Sequence, residues 1–217
     1  MKSLRKPENW VTTAIFTILL SVSSNVWSLE EPGFTVVGSQ GAVEFRQYGG
    51  YLIAETIVVD AADREAAANI GFRRLFKYIT GDNTEQIDIA MTAPVQQRPT
   101  GQKIAMTAPV QQQPADNGWA ISFVVPDKFT ADTVPLPTNP NITIREVPDT
   151  LMAAIRYSGR WTDANIRRHK GTLKDQLMTA GITPAGEMIT AFYNAPFSLP
   201  FTRRNEFLVP ISQIPQT

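Results

Sequence analysis

Few side chains in this 217-residue sequence carry the chemistry of a reactive site. Cysteine is absent, which removes every thiol nucleophile and most structural zinc sites, and His169 is the sole imidazole. A Ser-His-Asp arrangement would have to be built on it. His169 falls three positions after Ile166 and four before Leu173, at the border of an apolar helical face, and reads as a capping or half-buried structural histidine or as a weak candidate metal ligand. The spacings G-x-S-x-G, H-E-x-x-H, G-x-x-x-x-G-K-[ST] and G-x-G-x-x-G do not occur. Glu30-Glu31 sits in what reads as a flexible segment, and Arg203-Arg204-Asn205-Glu206 reads as a charged turn with its own ion pairs before a strand, or as an anion site. The residue types that remain suit binding. Phe72 and Phe76 stand one helical turn apart with Lys77 beside them, and Met91 and Met106 offer soft thioethers. Equally, the aromatics and methionines serve as core packing and Lys77 as a solvated charge.

These residues need elements to hold them. Residues 34–58 alternate as FTVVG, AVEFRQY and YLIAETIV, and Gly49-Gly50 between the last two predicts a β-hairpin. From Asp60 the period changes: Ala68, Phe72, Leu75, Phe76 and Ile79 fall at helical spacing, with Asp60 or Asp63 as N-cap and Gly81 just past the end. IDIAMTAPV from Ile87 and WAISFVV from Trp119 return to extended patterning. The order then repeats. ITIREV and LMAAIRYS, joined at Pro148-Asp149, predict a second hairpin; Thr162 caps a second helix with Ile166, Leu173 and Leu177 on one face, ended by Gly181 and Pro184. EMITAFYN and NEFLVPI supply the last two strands.

Two repeats differ in meaning. At an offset of 99, VEFRQYGGYLIAET lies over ITIREVPDTLMAAI with Arg46 on Arg145, Leu52 on Leu151 and Ala54 on Ala153, and ISFVVP at 121–126 resembles NEFLVP at 205–210. Together with the order of elements this predicts an α+β fold of two ββαββ halves, about 34–126 and 142–211, sharing one core with the helices outside. The second repeat is local: IAMTAPVQQ at 89–97 recurs unchanged at 104–112, an offset of 15. The copies either pair as a hairpin across the turn-like RPTGQK, or one is a looped-out extension.

The amino terminus predicts export. Lys2, Arg5 and Lys6 precede an apolar run of about 12 residues from Val11 to Val22, shorter than the ~20 that span a bilayer, and small residues around Val26 and Ser28 place cleavage after Ser28. Residues 1–28 thus read as a signal peptide and 29–217 as one domain, periplasmic or extracellular, with no permanent membrane span. Removing them leaves 17 basic against 19 acidic residues, a formal charge of −2. Such a chain attracts neither nucleic acid nor an anionic membrane by bulk charge.

VEFRQY at 43–48, LFKYITGDN at 75–83, IAMTAPV at 89–95 and RRNEFLV at 203–209 resemble, in order and spacing, the SOUL haem-binding protein family, over about Gly33 to Ile211. The first IAMTAPV copy sits at the family's spacing after the helix, which makes the second the insertion. The resemblance implies a distorted antiparallel β-barrel of two pseudo-symmetric halves flanked by two helices, and haem or another tetrapyrrole bound in a shallow apolar groove beside the first helix. On that basis Phe72, Phe76 and Met91 contact the ring, and Lys77 matches a lysine associated with propionate binding. Gln47 stands where one branch of the family has a histidine proposed as axial ligand, and FSLPF at 197–201 lacks the basic residue some members carry. The expected role is non-enzymatic: haem buffering, scavenging or delivery. The alternatives are an effector-binding module for another hydrophobic small molecule, or a protein-interaction module using the duplicated IAMTAPVQQ segment. Expressed with its own amino terminus in a secreting host, the chain should be recovered with Leu29 as its first residue; an intact mass that retains residues 1–28 would refute the export reading.

Overall fold

The computed structural model describes residues 29–99, 118–194 and 197–215. The predicted signal peptide and the second IAMTAPVQQ copy, with Met106, lie outside those residues. Nine strands and two helices follow in the order β1 (Phe34–Gln40), β2 (Val43–Tyr48), β3 (Tyr51–Val59), α1 (Arg64–Ile79), β4 (Val95–Pro99), β5 (Gly118–Val124), β6 (Ile142–Val147), β7 (Thr150–Tyr157), α2 (Asp163–Thr179), β8 (Ile189–Phe192) and β9 (Asn205–Pro210). All pair antiparallel in one curled sheet, a distorted open barrel of order β1-β2-β7-β9-β8-β4-β5-β3-β6.

Both helices begin where their side chains dictate. Asp63 caps α1 by accepting from Ala66 N at 2.7 Å, and Thr162 caps α2 by accepting from Asn165 N at 3.4 Å. Thr80 closes α1, after which Gly81 turns the chain at φ +112°, a conformation that favours glycine. Ile166, Leu173 and Leu177 are the buried face of α2, as their spacing predicts.

The two predicted hairpins do not form. β2 pairs with β7 and β3 with β6, so the two strands of each predicted hairpin pair across to the other half. Alternation and a two-residue link specify strands and a chain reversal, but they do not choose the partner. The offset of 99 survives in the registers: Arg46 faces Met152, and their equivalents Arg145 and Ile53 face each other. The links Gly49-Gly50 and Pro148-Asp149 are themselves equivalent and abut, since a Cβ on Gly50 would lie 3.3 Å from Asp149 Oδ1. β5 and β9 occupy matching places, but Val124 corresponds to Pro210, two residues out of step with the match of ISFVVP to NEFLVP. β1, paired only with β2, belongs to the first half alone.

A second correction concerns IDIAMTAPV, which is not a strand before Val95. Its backbone bonds elsewhere: Ile89 N–H to Ile79 O at 2.8 Å and Ala93 N–H to Glu30 O at 2.9 Å, while Pro94 has no donor to give a ladder. From Val95 the first copy becomes β4, between β5 and β8, and β4 joins the two halves.

Both helices cover one face of the sheet. α1 packs over Ala54, Val58, Ile121 and Phe123, and α2 over Phe45, Ala153, Ile155 and Phe207. The opposite, concave face buries Tyr48, Tyr51, Ile53, Met152, Ala154 and Leu208. Thr92 in the first IAMTAPVQQ copy donates its buried hydroxyl to Val124 O. Thr92→Val should therefore cost about 1 kcal/mol in chemical denaturation; an unchanged midpoint would mean that the bond to Val124 contributes nothing to stability.

Candidate functional site

The C-terminal half of α1 gathers the aromatic candidates. Gly71 lets the helix approach the sheet, since a Cβ there would sit 2.7 Å from Ile121 Cβ. That approach seats Phe72 edge-on against Phe123, with ring centroids 5.3 Å apart at 65°. Phe76 then stacks on Phe72 at 5.9 Å and 14°, and remains 44% exposed. Met91 is half-buried against the same apolar cluster. Lys77 follows in the last turn, where the helix dipole favours a cation, and its exposed ammonium has no ion pair among the described residues. Phe72, Phe76 and Lys77 thus present an exposed aromatic step and a cation without an ion pair among the described residues, while Met91 packs on the cluster to which Leu75 and Tyr78 of α1 belong.

His169 and Gln47 belong elsewhere. His169, on α2, stacks on Tyr157 at 4.5 Å, which stacks in turn on Phe207 at 5.1 Å. Burial, with a smaller contribution from Arg168, holds the imidazole below its ordinary pKa, so the neutral form is favoured. Gln47 lies on β2 and donates its amide to Tyr48 O at 3.1 Å. Neither residue faces α1, which packs on β3 and β5.

Sequence reading missed a buried ionic cluster. Glu206 is fully buried within β9 and accepts from Arg46 at 2.6 and 3.3 Å, from Arg204 at 2.9 Å and from Tyr193 at 3.1 Å. Arg204 continues to Glu31 through two bonds of 2.9 Å, so Glu31 is held to the body, and the Arg204–Glu206 pair is an ion pair within the RRNE segment of the kind its sequence suggests. Glu30 is also engaged, accepting from Asp127 N–H. The guanidinium of Arg46 lies 4.5 Å over Phe34, and that of Arg204 3.8 Å over Tyr193. Arg145, equivalent to Arg46, likewise pairs with a carboxylate, Glu55 at 3.3 Å, which Arg98 shares at 3.0 Å. The one sequence signal for these clusters is the Arg46/Arg145 identity.

The electrostatics make the cluster structural. Burial would raise the Glu206 pKa, but its bonds to Arg46 and the charges of Arg46 and Arg204 outweigh that and hold the carboxyl below its usual range. Burial lifts Tyr48 to about 12, and burial with the Glu206 charge lifts Tyr193 further. A carboxylate with its acceptor sites occupied and two phenols held protonated have no proton chemistry to offer near neutral pH. No group of three or more His, Asp or Glu is placed to hold a metal among the described residues.

A cavity of about 460 Å³ lies at the Gly49-Gly50 crossing, between Tyr51, Leu52, Phe129 and Glu146, with no residue of α1 in its wall. The α1 surface and this cavity are separate places.

With both halves and their sites in place, the comparisons decide the lineage. Residues 29–210 match the family described as SOUL heme-binding protein. The chain belongs to this SOUL family. The match spans both helices and ends with the last residue of β9. No curated protein matches in sequence. Among solved structures, the SOUL chain is similar to the C-terminal domain of EcmrR, at 9% identity and TM-score 0.59 over 79% of this chain and 98% of that one. It is also similar to an uncharacterized conserved protein from Listeria innocua, at 10% identity and TM-score 0.56 over 78% and 92%, and to a Listeria innocua hydrolase, at 9% and 0.51 over 81% and 94%. At such identities these likenesses concern the fold alone.

Removing the Glu206 charge tests the buried cluster of this SOUL protein. Glu206→Gln leaves Arg46 and Arg204 short of their shared partner and should cost about 3–5 kcal/mol at neutral pH. Because the folded carboxyl titrates below its usual 4.5, its contribution is complete above that pH and is lost as pH falls through the lower folded value. The gap between wild type and variant in urea melts should accordingly narrow in acid; a gap that widens there would overturn the assignment.

Proposed function

We propose that this protein binds haem or a related tetrapyrrole without chemical turnover, outside the cytoplasm, and that the ring rests on the Phe72–Phe76 step of α1. The observation that carries the reading is the exposed Phe76 ring, held parallel to Phe72 beside an unpaired Lys77. An apolar plane already fixed by packing meets a flat ligand with little ordering cost, and a lysine at its edge meets a carboxylate. Membership in the SOUL family supports the ligand class. The amino-terminal pattern supports export, and no helix among the described residues is long and apolar enough to cross a membrane.

The residues fit the ring and one carboxylate arm better than they fit the iron. Bound haem would supply a conjugated plane, two propionates and a metal that accepts His, Met, Cys or Tyr donors. The soft donor among the candidates is Met91, half-buried against the apolar cluster that α1 joins. His169 is committed to the Tyr157 stack on the other helix, and Gln47 is a poor iron ligand. The proposed hold is therefore apolar contact plus the Lys77 charge, with no histidine bond. A second reading, another hydrophobic small molecule, is favoured by the cavity at Tyr51 and Phe129, which is of ligand size and away from α1.

Hemin titration separates the two. The expected result is a Soret shift saturating below micromolar, weakened about tenfold, or 1.4 kcal/mol, by either Phe76→Ala or Lys77→Ala, with the band position unchanged in His169→Ala. A shift that never saturates would remove haem from the reading and leave the cavity as the site.

A further inference from the structure

Three of the four most exposed large apolar side chains among the described residues fall within one loop: Phe197 at 91%, Phe201 at 73% and Leu199 at 59%. Isolated exposed hydrophobes are ordinary, but three at alternate positions on one tip form a patch. The loop is fastened to the body behind them. Gly159 N–H donates to Pro200 O at 2.8 Å, Arg203 Nε to Ser198 O at 2.9 Å, and Thr202 Oγ1 to Leu199 O at 2.9 Å. The backbone is thus satisfied from inside while the apolar side chains stand outward.

Cations lie on the segment that fastens this loop and on the helix that follows it. Arg160 is exposed next to Gly159, which holds Pro200, and Arg167 and Arg168 are exposed on α2. Asp163, the one acidic residue from 160 to 168, is answered by Arg64 at 3.3 Å. That stretch, with three exposed arginines, is therefore locally positive although the chain as a whole is formally neutral.

We propose that the 197–201 loop docks the protein on an anionic membrane surface, with Phe197, Leu199 and Phe201 entering the boundary between headgroups and acyl chains and the arginines meeting lipid phosphates. A protruding apolar tip needs a partner that deforms around it, and a fluid acyl layer does so without a preformed pocket. The charge of that stretch complements anionic headgroups and gives the docking its salt dependence. The anchorage is peripheral.

Vesicle flotation of the purified protein tests this. It should rise with vesicles of phosphatidylglycerol and phosphatidylethanolamine and remain below with phosphatidylcholine alone. Phe197→Ser combined with Phe201→Ser should reduce the floating fraction about tenfold, and Arg160→Gln or high salt severalfold, with circular dichroism unchanged. In Leu199→Trp, lipids brominated along the acyl chain should quench the new indole. Wild type that stays below with both vesicle types, a serine double variant that floats equally well, or a dimer in gel filtration that the double variant breaks would each overturn the lipid assignment, the last in favour of a second copy of this chain.

Discussion

The fold rests on an exchange of strands, in which β2 and β3 do not pair with each other, nor β6 with β7, and each instead pairs with a strand of the other half. The exchange runs through two equivalent seams, β2 with β7 and β3 with β6, and a third contact, β4 with β8, brings the halves together at the middle of the sheet. Each seam must be in register for the concave face to bury Ile53, Met152 and Ala154, because a one-residue slip would turn those side chains to the other face. The abutting links at Gly50 and Asp149 fix where both crossings occur. Arg46 and Arg145 mark the two seams, each answered by a carboxylate that its own half did not need to provide in an equivalent place: Glu206 from β9 for one, Glu55 from β3 for the other.

That constraint divides the molecule by face. The concave side spends its polar groups on internal satisfaction, with Glu206, Arg204, Tyr193 and Glu31 bonded to one another. The helix side is apolar packing, tight enough at Gly71 that α1 lies directly on Ile121. In its last turns α1 buries Leu75, Tyr78 and Ile79, while Phe76 between them stays exposed, and there an aromatic ring meets water. The exposed aromatic step is thus set by which face of the helix is buried, with Phe72, packed on Phe123, linking core and surface.

How much of this was legible follows from what each signal encodes. Helical spacing and capping chemistry are local, and they located α1 and α2 with Asp63 and Thr162 as caps. Strand alternation encodes which residues turn inward, so most strands were found while their partners were not. IDIAMTAP alternates like a strand, yet Pro94 and bonds to Ile79 and Glu30 keep it out of the ladder, a tertiary outcome that alternation does not record. The RRNE segment reads as a turn because charged residues usually seek water; only the pairing of Arg46 across the sheet makes Glu206 a core residue. At the proposed ligand surface the spacing of Phe72 and Phe76 was visible, but it put Phe76 on the same face as Leu75 and Ile79, whereas Tyr78 completes that buried face and Phe76 is exposed.

The two proposed surfaces lie toward opposite ends of α1. Arg64, its first residue, bonds to Trp161 O at 2.8 Å and to Asp163, so the N-terminal end of α1 adjoins the segment that fastens the 197–201 loop. Phe76 is twelve residues further along, about 18 Å at the helical rise. Insertion of the loop to a depth of roughly 5–10 Å would engage the first end and leave the Phe76 step in water. Docking and ligand capture therefore need not compete for the same surface, and a change at Phe197 or Phe201 has no direct path to the α1 aromatics except through the body of the sheet.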